Sequence, residues 1–322
     1  MSGTELYIET WVDADLEDLW GATQEPDQHE RWDLRFTDID YLPRPDESEP
    51  QQFDYETRIG FGVGVAGGGE STAERADGGP VSGTSGTSSD LQSDGGERTS
   101  ALRFWSDDPR SLISEGNGYW KYLPEDGGVR FLTGYNYDTR FGRLGRVFDR
   151  FVFRPLMVWA TAWSFDRLRL WLEADVSPEA SMRQAVVHAV TRLSLAVVWV
   201  YQGLVPKLLG PHPVERELSA TLLPAGLPID VTILALGAAE VGFGLLLLGA
   251  WHRRWAFPAS ALLTVALVTG GLVANPGLVA HPLSSIPLGV AMLALAAIGY
   301  VAGEELPSAR RCITDREESD LQ

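Results

Sequence analysis

Four long apolar stretches lie between residues 185 and 303, separated by short turns that are rich in proline, glycine and charge. They cover residues 186–209, 229–251, 255–273 and 286–302. Each stretch is close to the about 20 apolar residues that cross a hydrocarbon core about 30 Å thick. Because lipid offers no hydrogen bonds to a bare backbone, these stretches should be helices. The pattern predicts an all-α four-helix transmembrane bundle over residues 181–303.

The first 180 residues follow a different pattern, in which apolar and polar residues alternate over short runs. Such alternation is typical of half-buried strands. It predicts strands at residues 6–12, 36–42, 53–59, 99–106, 112–114, 118–123 and 129–138. Two short helices are predicted after the first strand, and a long helix over 144–173 that is interrupted by Pro155. The order is a strand, two short helices, about six strands and a long C-terminal helix.

Two segments lack the pattern of a folded element. Residues 66–98 consist mainly of glycine, serine, threonine and acidic residues, with scarcely a large apolar side chain. Such a composition cannot bury enough surface to offset the entropy of ordering, so it predicts a disordered insert between two strands. Residues 304–322 are polar and predict a cytoplasmic tail after the bundle.

Charge is distributed unevenly along the chain. Residues 1–182 carry a net charge of −17, residues 183–303 of +2 and the remaining tail of −3. The acidic excess therefore belongs to the parts in water, and it argues against nucleic acid as a partner. The many acidic residues with a single lysine before residue 183, Lys121, are typical of a protein from a high-salt cytoplasm.

The N-terminus has no apolar core of a secretory signal, so the soluble part is expected to stay in the cytoplasm. The one cysteine, Cys312, excludes an internal disulfide and a cysteine-based metal site. No two of the five histidines share ligand spacing with a carboxylate, so no metal is predicted. His29, beside Glu30 and Arg31, is interpreted as a solvated helix residue.

The candidate binding residues of the soluble part are aromatic. One face of the predicted sheet should line a cavity, and the side chains expected there are Trp105, Trp120, Tyr135 and Tyr137. The alternative is that these rings are ordinary core and surface residues. The glycine run from Gly60 to Gly69 is not a dinucleotide fingerprint, because no helix follows it.

The N-terminal part resembles the START-like, polyketide-cyclase superfamily. The resemblance lies in Tyr7-Ile8-Glu9-Thr10 followed by Leu16, Trp20, Pro26 and Trp32, and it covers roughly residues 4–175. It implies an α+β helix-grip domain over residues 1–180, in which an antiparallel sheet surrounds a long C-terminal helix and encloses an apolar cavity. Members of the superfamily bind lipids, sterols, polyketides or other hydrophobic molecules, and some are enzymes.

Within the predicted bundle, ionisable residues are costly and therefore informative. They form a predicted intramembrane polar cluster of His188, Arg192, Glu240 and Lys207. Arg192 is the expected partner of Glu240 and His188 the second choice, although Arg192 is also near enough to one end to snorkel. The pair either fixes helix packing or belongs to a substrate, quinone or proton site.

The loop at His252-Arg253-Arg254 is basic, as are the flanks of the bundle. By the positive-inside rule, both termini are expected in the cytoplasm. Lys207 and Arg216 in the first outer loop weaken that pattern slightly.

The C-terminal half resembles the DoxX-like family of small four-helix membrane proteins. The resemblance lies in Arg192, in Gly203 with Pro206-Lys207-Leu208, and in Glu240 followed by Gly244, and it covers about residues 184–303. Relatives include a subunit associated with thiosulfate:quinone oxidation, but no cofactor ligand follows from the motif.

Three functional hypotheses follow. The first is a membrane-anchored binding protein for a hydrophobic small molecule or lipid, with the bilayer as its reservoir. The second is a subunit of a quinone-linked membrane redox system, with Arg192 and Glu240 near the quinone. The third is a structural or assembly membrane protein whose soluble part binds protein. The sequence leaves open the ligand, any catalytic residue, and whether the protein forms a homo-oligomer or binds a membrane protein partner.

Overall fold

A computed structural model describes residues 5–44, 46, 49–60, 63–75, 96–224, 226–280 and 284–316 of the chain. The chain divides into two compact units. The first, called the sheet unit below, comprises Met1–Ser181 together with Pro307–Gln322. The second, called the helical unit, comprises Met182–Leu306.

The described residues of the sheet unit form seven antiparallel strands in the order β1-β7-β6-β5-β4-β3-β2. Consecutive strands from β2 to β7 are neighbours, and β1 is the edge strand beside β7. The alternating pattern is confirmed, although the two strands predicted at 112–114 and 118–123 are one strand with an irregularity between Ile113 and Gly116. The strands are β1 Leu6–Val12, β2 Asp38–Tyr41, β3 Gln51–Gly60, β4 Val63–Arg75, β5 Arg98–Trp105, β6 Ile113–Glu125 and β7 Gly128–Thr139.

Four helices complete the described part of the sheet unit before residue 178: α1 (Leu16–Gln24), α2 (Pro26–Trp32), α3 (Gly142–Phe148) and α4 (Arg154–Ala174). A π-helical turn at Asp149–Phe153 joins α3 to α4 directly before Pro155. Proline has no N–H for the preceding turn, which accounts for the interruption that the sequence predicts there. The long α4 packs on the inner face of the sheet, where the Phe131 and Phe165 rings stack with centroids 4.5 Å apart. This arrangement is the predicted helix-grip fold.

Strand β4 lies where the sequence predicts a disordered insert. That prediction does not hold for residues 66–75, which pair with β3 and β5, or for Arg98, which begins β5. Residues 76–95 of the predicted insert lie outside the described residues. The strand lacks large apolar side chains because its neighbours supply them. A Cβ atom at Gly67 would collide with the Tyr55 ring, and one at Gly69 with the Phe53 ring.

The segment after the helical unit returns to the sheet unit. The 3₁₀ turn Ala309–Arg311 lies against α4, and Ile313 pairs with Glu9 of β1 through two backbone hydrogen bonds of 2.9 Å each. Asp166 of α4 accepts hydrogen bonds from the Ser308 amide at 2.7 Å and from Arg311 at 3.0 Å. The stretch that the sequence treats as a polar tail therefore packs on α4 over part of its described residues and is joined to β1 by an isolated bridge at Ile313.

The helical unit contains the four predicted membrane spans. Helix α5 (Pro178–Gly203) begins in the sheet unit and continues as a π-helical turn (Leu204–Leu208), and α6 (Pro213–Leu222) is a short connecting helix. The other spans are α7 (Ile229–Gly249), α8 (Ala256–Ala274) and α9 (Ser285–Ala302), with a 3₁₀ turn at Pro276–Ala280. All four spans are long and apolar enough to cross a membrane.

Small residues allow close approach between α5 and α7. A Cβ atom at Gly203 would lie 2.9 Å from the Glu240 Cβ, and one at Gly244 would lie 2.9 Å from the Ala196 carbonyl oxygen. Of four glycines in α7, Gly237 and Gly244 make such contacts, whereas Gly242 and Gly249 face open space.

Candidate functional site

The structure brings three of the four predicted lining residues together. Ser100 pairs with Trp120 and Gly118 with Tyr135, so alternation places Trp120, Tyr135 and Tyr137 on the inner face that meets α4. All three are buried in the core. Trp105 pairs with Glu115 and Gly68 and therefore lies on the outer face, where a Cβ atom at Gly68 would lie 3.3 Å from its ring. The prediction that Trp105 shares a pocket with the other three is wrong.

The hydroxyl groups of Tyr135 and Tyr137 are hydrogen-bonded to α4 and to the π-helical turn before it. Tyr135 Oη lies 3.1 Å from Thr161 Oγ1 on α4. Tyr137 donates to Asp149 Oδ1 at 2.6 Å, in the π-helical turn before α4. Burial, with the Asp149 carboxylate next, raises the pKa of Tyr137, so this hydroxyl is a proton donor throughout the physiological range.

A charged cluster that the sequence does not reveal lies in the same interior. His29 Nε2 is 3.1 Å from Asp33 Oδ2, and Arg35 holds both oxygens of that carboxylate, with its Nε 2.9 Å from Oδ1 and its Nη2 2.6 Å from Oδ2. The His29 ring also packs against Trp120, with centroids 4.9 Å apart. The interpretation of His29 as a solvated residue is therefore wrong. The i, i+4 spacing of His29 and Asp33 on a helix is the signal that could have indicated the pair.

Asp33 is ionised in this cluster. Burial alone would raise the pKa of its carboxyl, but Arg35 and the hydrogen bond from His29 outweigh burial and hold that pKa well below its usual range. The same carboxylate outweighs the effect of burial on Arg35 and raises the pKa of its guanidinium. A largely buried ion pair of this kind either fixes packing at a cost in stability or belongs to a binding site.

We expect Asp33→Asn to lower the free energy of unfolding at pH 7 by about 3 kcal/mol, because it leaves Arg35 buried without its counter-ion. The folded-state pKa of Asp33 is lowered, so its stabilisation is present above the unfolded-state pKa of about 3.9 and is lost as the pH falls below it. The variant should therefore lose less stability than wild type between pH 5 and pH 3, as measured by thermal unfolding in detergent. Asp38→Asn, at an exposed position of β2, is the control. Parallel pH profiles of wild type and Asp33→Asn would contradict the assignment.

Part of the inner face remains open to solvent beside this cluster. Phe36, Tyr55, Phe104, Phe153 and Met157 are only half-buried, and the Phe36 and Tyr55 rings meet edge to face with centroids 5.5 Å apart. Arg35 borders this aromatic surface, with its guanidinium 5.7 Å from the centre of the Tyr135 ring. The half-buried rings offer apolar contact, and the polar groups beside them are the Arg35 guanidinium, which Asp33 holds, and the buried Tyr135 hydroxyl, which is bonded to Thr161.

In the helical unit, Glu240 pairs with Lys207 and not with Arg192. Lys207 Nζ lies 3.0 Å from Glu240 Oε2 and 3.3 Å from Glu215 Oε1 on α6, and it donates to the Gln202 carbonyl at 3.1 Å. Both Lys207 and Glu240 are 4 % exposed. The π-helical turn at the end of the first span brings Lys207 to α7, so the ion pair lies buried where α5 and its π-helical turn contact α7.

Arg192, at the other end of α5, binds backbone carbonyl groups. Its Nη1 donates to the carbonyls of Leu247 at 2.8 Å and Ala250 at 2.7 Å, and its Nη2 to that of Arg253 at 2.9 Å. Leu247 lies in the last turn of α7 and Ala250 is its C-cap residue, so the guanidinium caps the C-terminal end of that helix and also binds the loop that follows it. His188 packs edge to face on Trp251 and Phe257 nearby. The predicted cluster is thus two sites, about 28 Å apart along the helix axis from His188 to Lys207.

The comparisons with known proteins agree with this division. The DoxX-like family model matches residues 196–297, within the helical unit. The uncharacterized membrane protein YndG of Bacillus subtilis (strain 168) is 41 % identical over 251 residues, which are 78 % of this chain and 79 % of that protein.

Several solved structures resemble about half of the chain. TTHA0849 from Thermus thermophilus is 14 % identical, with a TM-score of 0.35, over 54 % of this chain and 100 % of that one. The STAR-related lipid transfer protein from Xanthomonas axonopodis is 15 % identical, with a TM-score of 0.36, over 52 % of this chain and 85 % of that one. The di-domain ARO/CYC StfQ is 14 % identical, with a TM-score of 0.37, over 53 % of this chain and 51 % of that one.

The molecule is therefore a membrane protein that combines a helix-grip unit with a four-span DoxX-like bundle. It belongs to the same family as the Bacillus subtilis membrane protein YndG.

Proposed function

We propose that the protein is a membrane-anchored binding protein for a hydrophobic small molecule or lipid, which it holds on the inner face of the helix-grip unit. The observation that carries this proposal is the half-open aromatic surface bordered by Arg35 and the Tyr135 hydroxyl. Such a surface suits a ligand with an apolar body and one polar group, because concave apolar sites with a few polar groups are the usual form of small-molecule sites.

The bilayer supplies such a ligand without transfer through water. The four spans hold the binding unit beside lipid, which raises the local concentration of any apolar molecule dissolved there. We propose that both termini lie in the cytoplasm, because the His252–Arg254 loop is basic and the segment around Ile313 pairs with β1 in the sheet unit. Gly210→Cys, placed in the first outer loop, should then react with an impermeant maleimide in intact cells, whereas Asp126→Cys should react only after permeabilisation.

Native mass spectrometry of the full-length protein in detergent, with lipid analysis of the released molecules, tests the ligand proposal. We expect one stoichiometric apolar molecule. Tyr135→Phe removes only the hydroxyl and should lower the retained fraction, because the polar group of the ligand loses a hydrogen-bond partner. Tyr119→Phe, on the outer face of the same sheet, is the matched control. Retention of nothing by the wild type would overturn the proposal in favour of a structural or assembly role.

The quinone-linked alternative placed Arg192 and Glu240 at one site. These residues have separate partners, so that alternative has lost the geometry on which it was based. A quinone that is retained equally by wild type and Tyr135→Phe would nevertheless favour it, because the ligand would then reside outside the sheet unit.

A further inference from the structure

A continuous apolar surface is exposed on the helical stretch that leads into α4. We call it the 141–159 face, and its members are Phe141, Leu144, Val147, Phe148, Phe151, Val152, Leu156 and Trp159. These residues recur mostly at three- and four-residue steps across α3, the π-helical turn and the first turns of α4. Leu144 is 77 % exposed and Phe151 is 70 % exposed. The described part of the sheet unit exposes only three other large apolar side chains, Trp11, Tyr41 and Leu42.

The stretch is fixed to the body of the unit by its opposite side. Gly145 and Asp149 are buried, and Asp149 accepts the Tyr137 hydrogen bond at 2.6 Å and pairs with Arg154 at 3.5 Å. The exposed apolar side chains are therefore presented outward by a helix that is anchored to the sheet. A contiguous apolar patch on a folded unit marks a surface that another phase or molecule covers.

Charge identifies what covers this face. Arg143, Arg146 and Arg150 are exposed along the same stretch, and Asp149, the one acidic residue between positions 140 and 159, is buried. None of these three arginines forms an ion pair with a carboxylate among the described residues. The first 182 residues carry a net charge of −17, so this stretch is locally basic on an acidic unit. Apolar residues beside arginines match an anionic bilayer surface, where the rings enter the acyl boundary and the guanidinium groups meet phosphates.

We propose that the 141–159 face docks on the surface of a bilayer that contains anionic phospholipids. The partner is already at hand, because the chain is held to the bilayer by its four spans and docking is an intramolecular event. The inference does not depend on ligand binding by the inner face. Docking would nevertheless place the part of the inner face around Phe153 next to lipid.

The test uses the full-length chain in lipid nanodiscs, with Cys312→Ser as background and one environment-sensitive fluorophore per variant. The labelled positions are Leu144→Cys and Phe151→Cys, with Asp126→Cys in the exposed β6–β7 turn as control. In discs of phosphatidylglycerol and phosphatidylcholine, the labels at 144 and 151 should show blue-shifted emission, loss of quenching by aqueous iodide and quenching by spin-labelled lipid. The label at 126 should stay fully quenched by iodide.

A triple variant, Arg143→Gln with Arg146→Gln and Arg150→Gln, tests the charge. It should reduce lipid quenching in the anionic discs and have no effect in discs of phosphatidylcholine alone. Iodide quenching at 144 and 151 equal to that at 126 would overturn the proposal. Shielding that persists in detergent and rises with protein concentration would also overturn it, because a second copy would then cover the face.

Discussion

Replacing Asp166 by alanine should make the thiol of Cys312 react about 100-fold faster with an alkylating reagent, as expected for a loss of about 3 kcal/mol. Cys312 is the one cysteine of the chain, is 9 % exposed, and lies with its Sγ 3.2 Å from the Ala162 carbonyl oxygen. Burial raises the pKa of this thiol to about 12, so it reacts slowly while the segment is docked. Labelling therefore reports how often the C-terminal segment leaves α4.

Asp166 determines that frequency. Its carboxylate is completely buried and accepts from both the Ser308 amide and the Arg311 guanidinium. Hydrogen bonds to a charged group contribute about 1.5–3 kcal/mol each, so removing both makes opening of the segment easier by about 3 kcal/mol or more. Local opening of this kind occurs below the free energy of global unfolding.

Asp138→Ala, at an exposed position of β7, is the control for a general effect on the unit. Labelling rates at several low concentrations of urea separate the two kinds of opening, because local opening depends on urea much less than global unfolding does. An unchanged rate in Asp166→Ala would show that the other contacts of the segment, such as the Ile313 pairing, hold it without Asp166.

The sequence predicts well the elements for which physics offers one solution. An apolar stretch of span length in lipid must be helical, and alternating residues at a half-buried face must be extended, so the spans and most strands were placed correctly. Strand β4 was missed because its apolar partners lie on other strands. The Tyr55 and Phe53 rings cover Gly67 and Gly69, and the composition of residues 66–75 does not predict these contacts.

The candidate sites were predicted less well because each depends on geometry between elements. Pairing register put Trp105 on the face opposite Trp120, although both are aromatic residues on neighbouring strands. The partners of Arg192 are backbone carbonyls, which leave no signature in side-chain identity. Lys207 reaches Glu240 because a π-helical turn ends the first span, and its position depends on packing against Gly237.

We expect Lys207→Met to lower the free energy of unfolding of the helical unit by about 3–5 kcal/mol, because it leaves Glu240 buried with no cation. Glu240→Leu should cost only about 1–2 kcal/mol. The asymmetry arises from Glu215 and the Gln202 carbonyl, which still hold the ammonium group at 3.3 Å and 3.1 Å when Glu240 is gone. Unfolding in detergent, followed by circular dichroism, measures both.

The double variant, Lys207→Met with Glu240→Leu, decides what the pair does for the fold. Removal of both charges leaves no isolated buried ion, so the double variant should be more stable than Lys207→Met alone. Arg216→Met, which breaks an exposed pair with Asp230, should change stability by less than about 1 kcal/mol and serves as the control. A double variant no more stable than Lys207→Met would mean that an unpaired Glu240 carboxylate is not the cause of the loss in Lys207→Met. Recovery of stability in the double variant would instead show that α5 and α7 pack well without the ion pair, so that the pair is not present for stability.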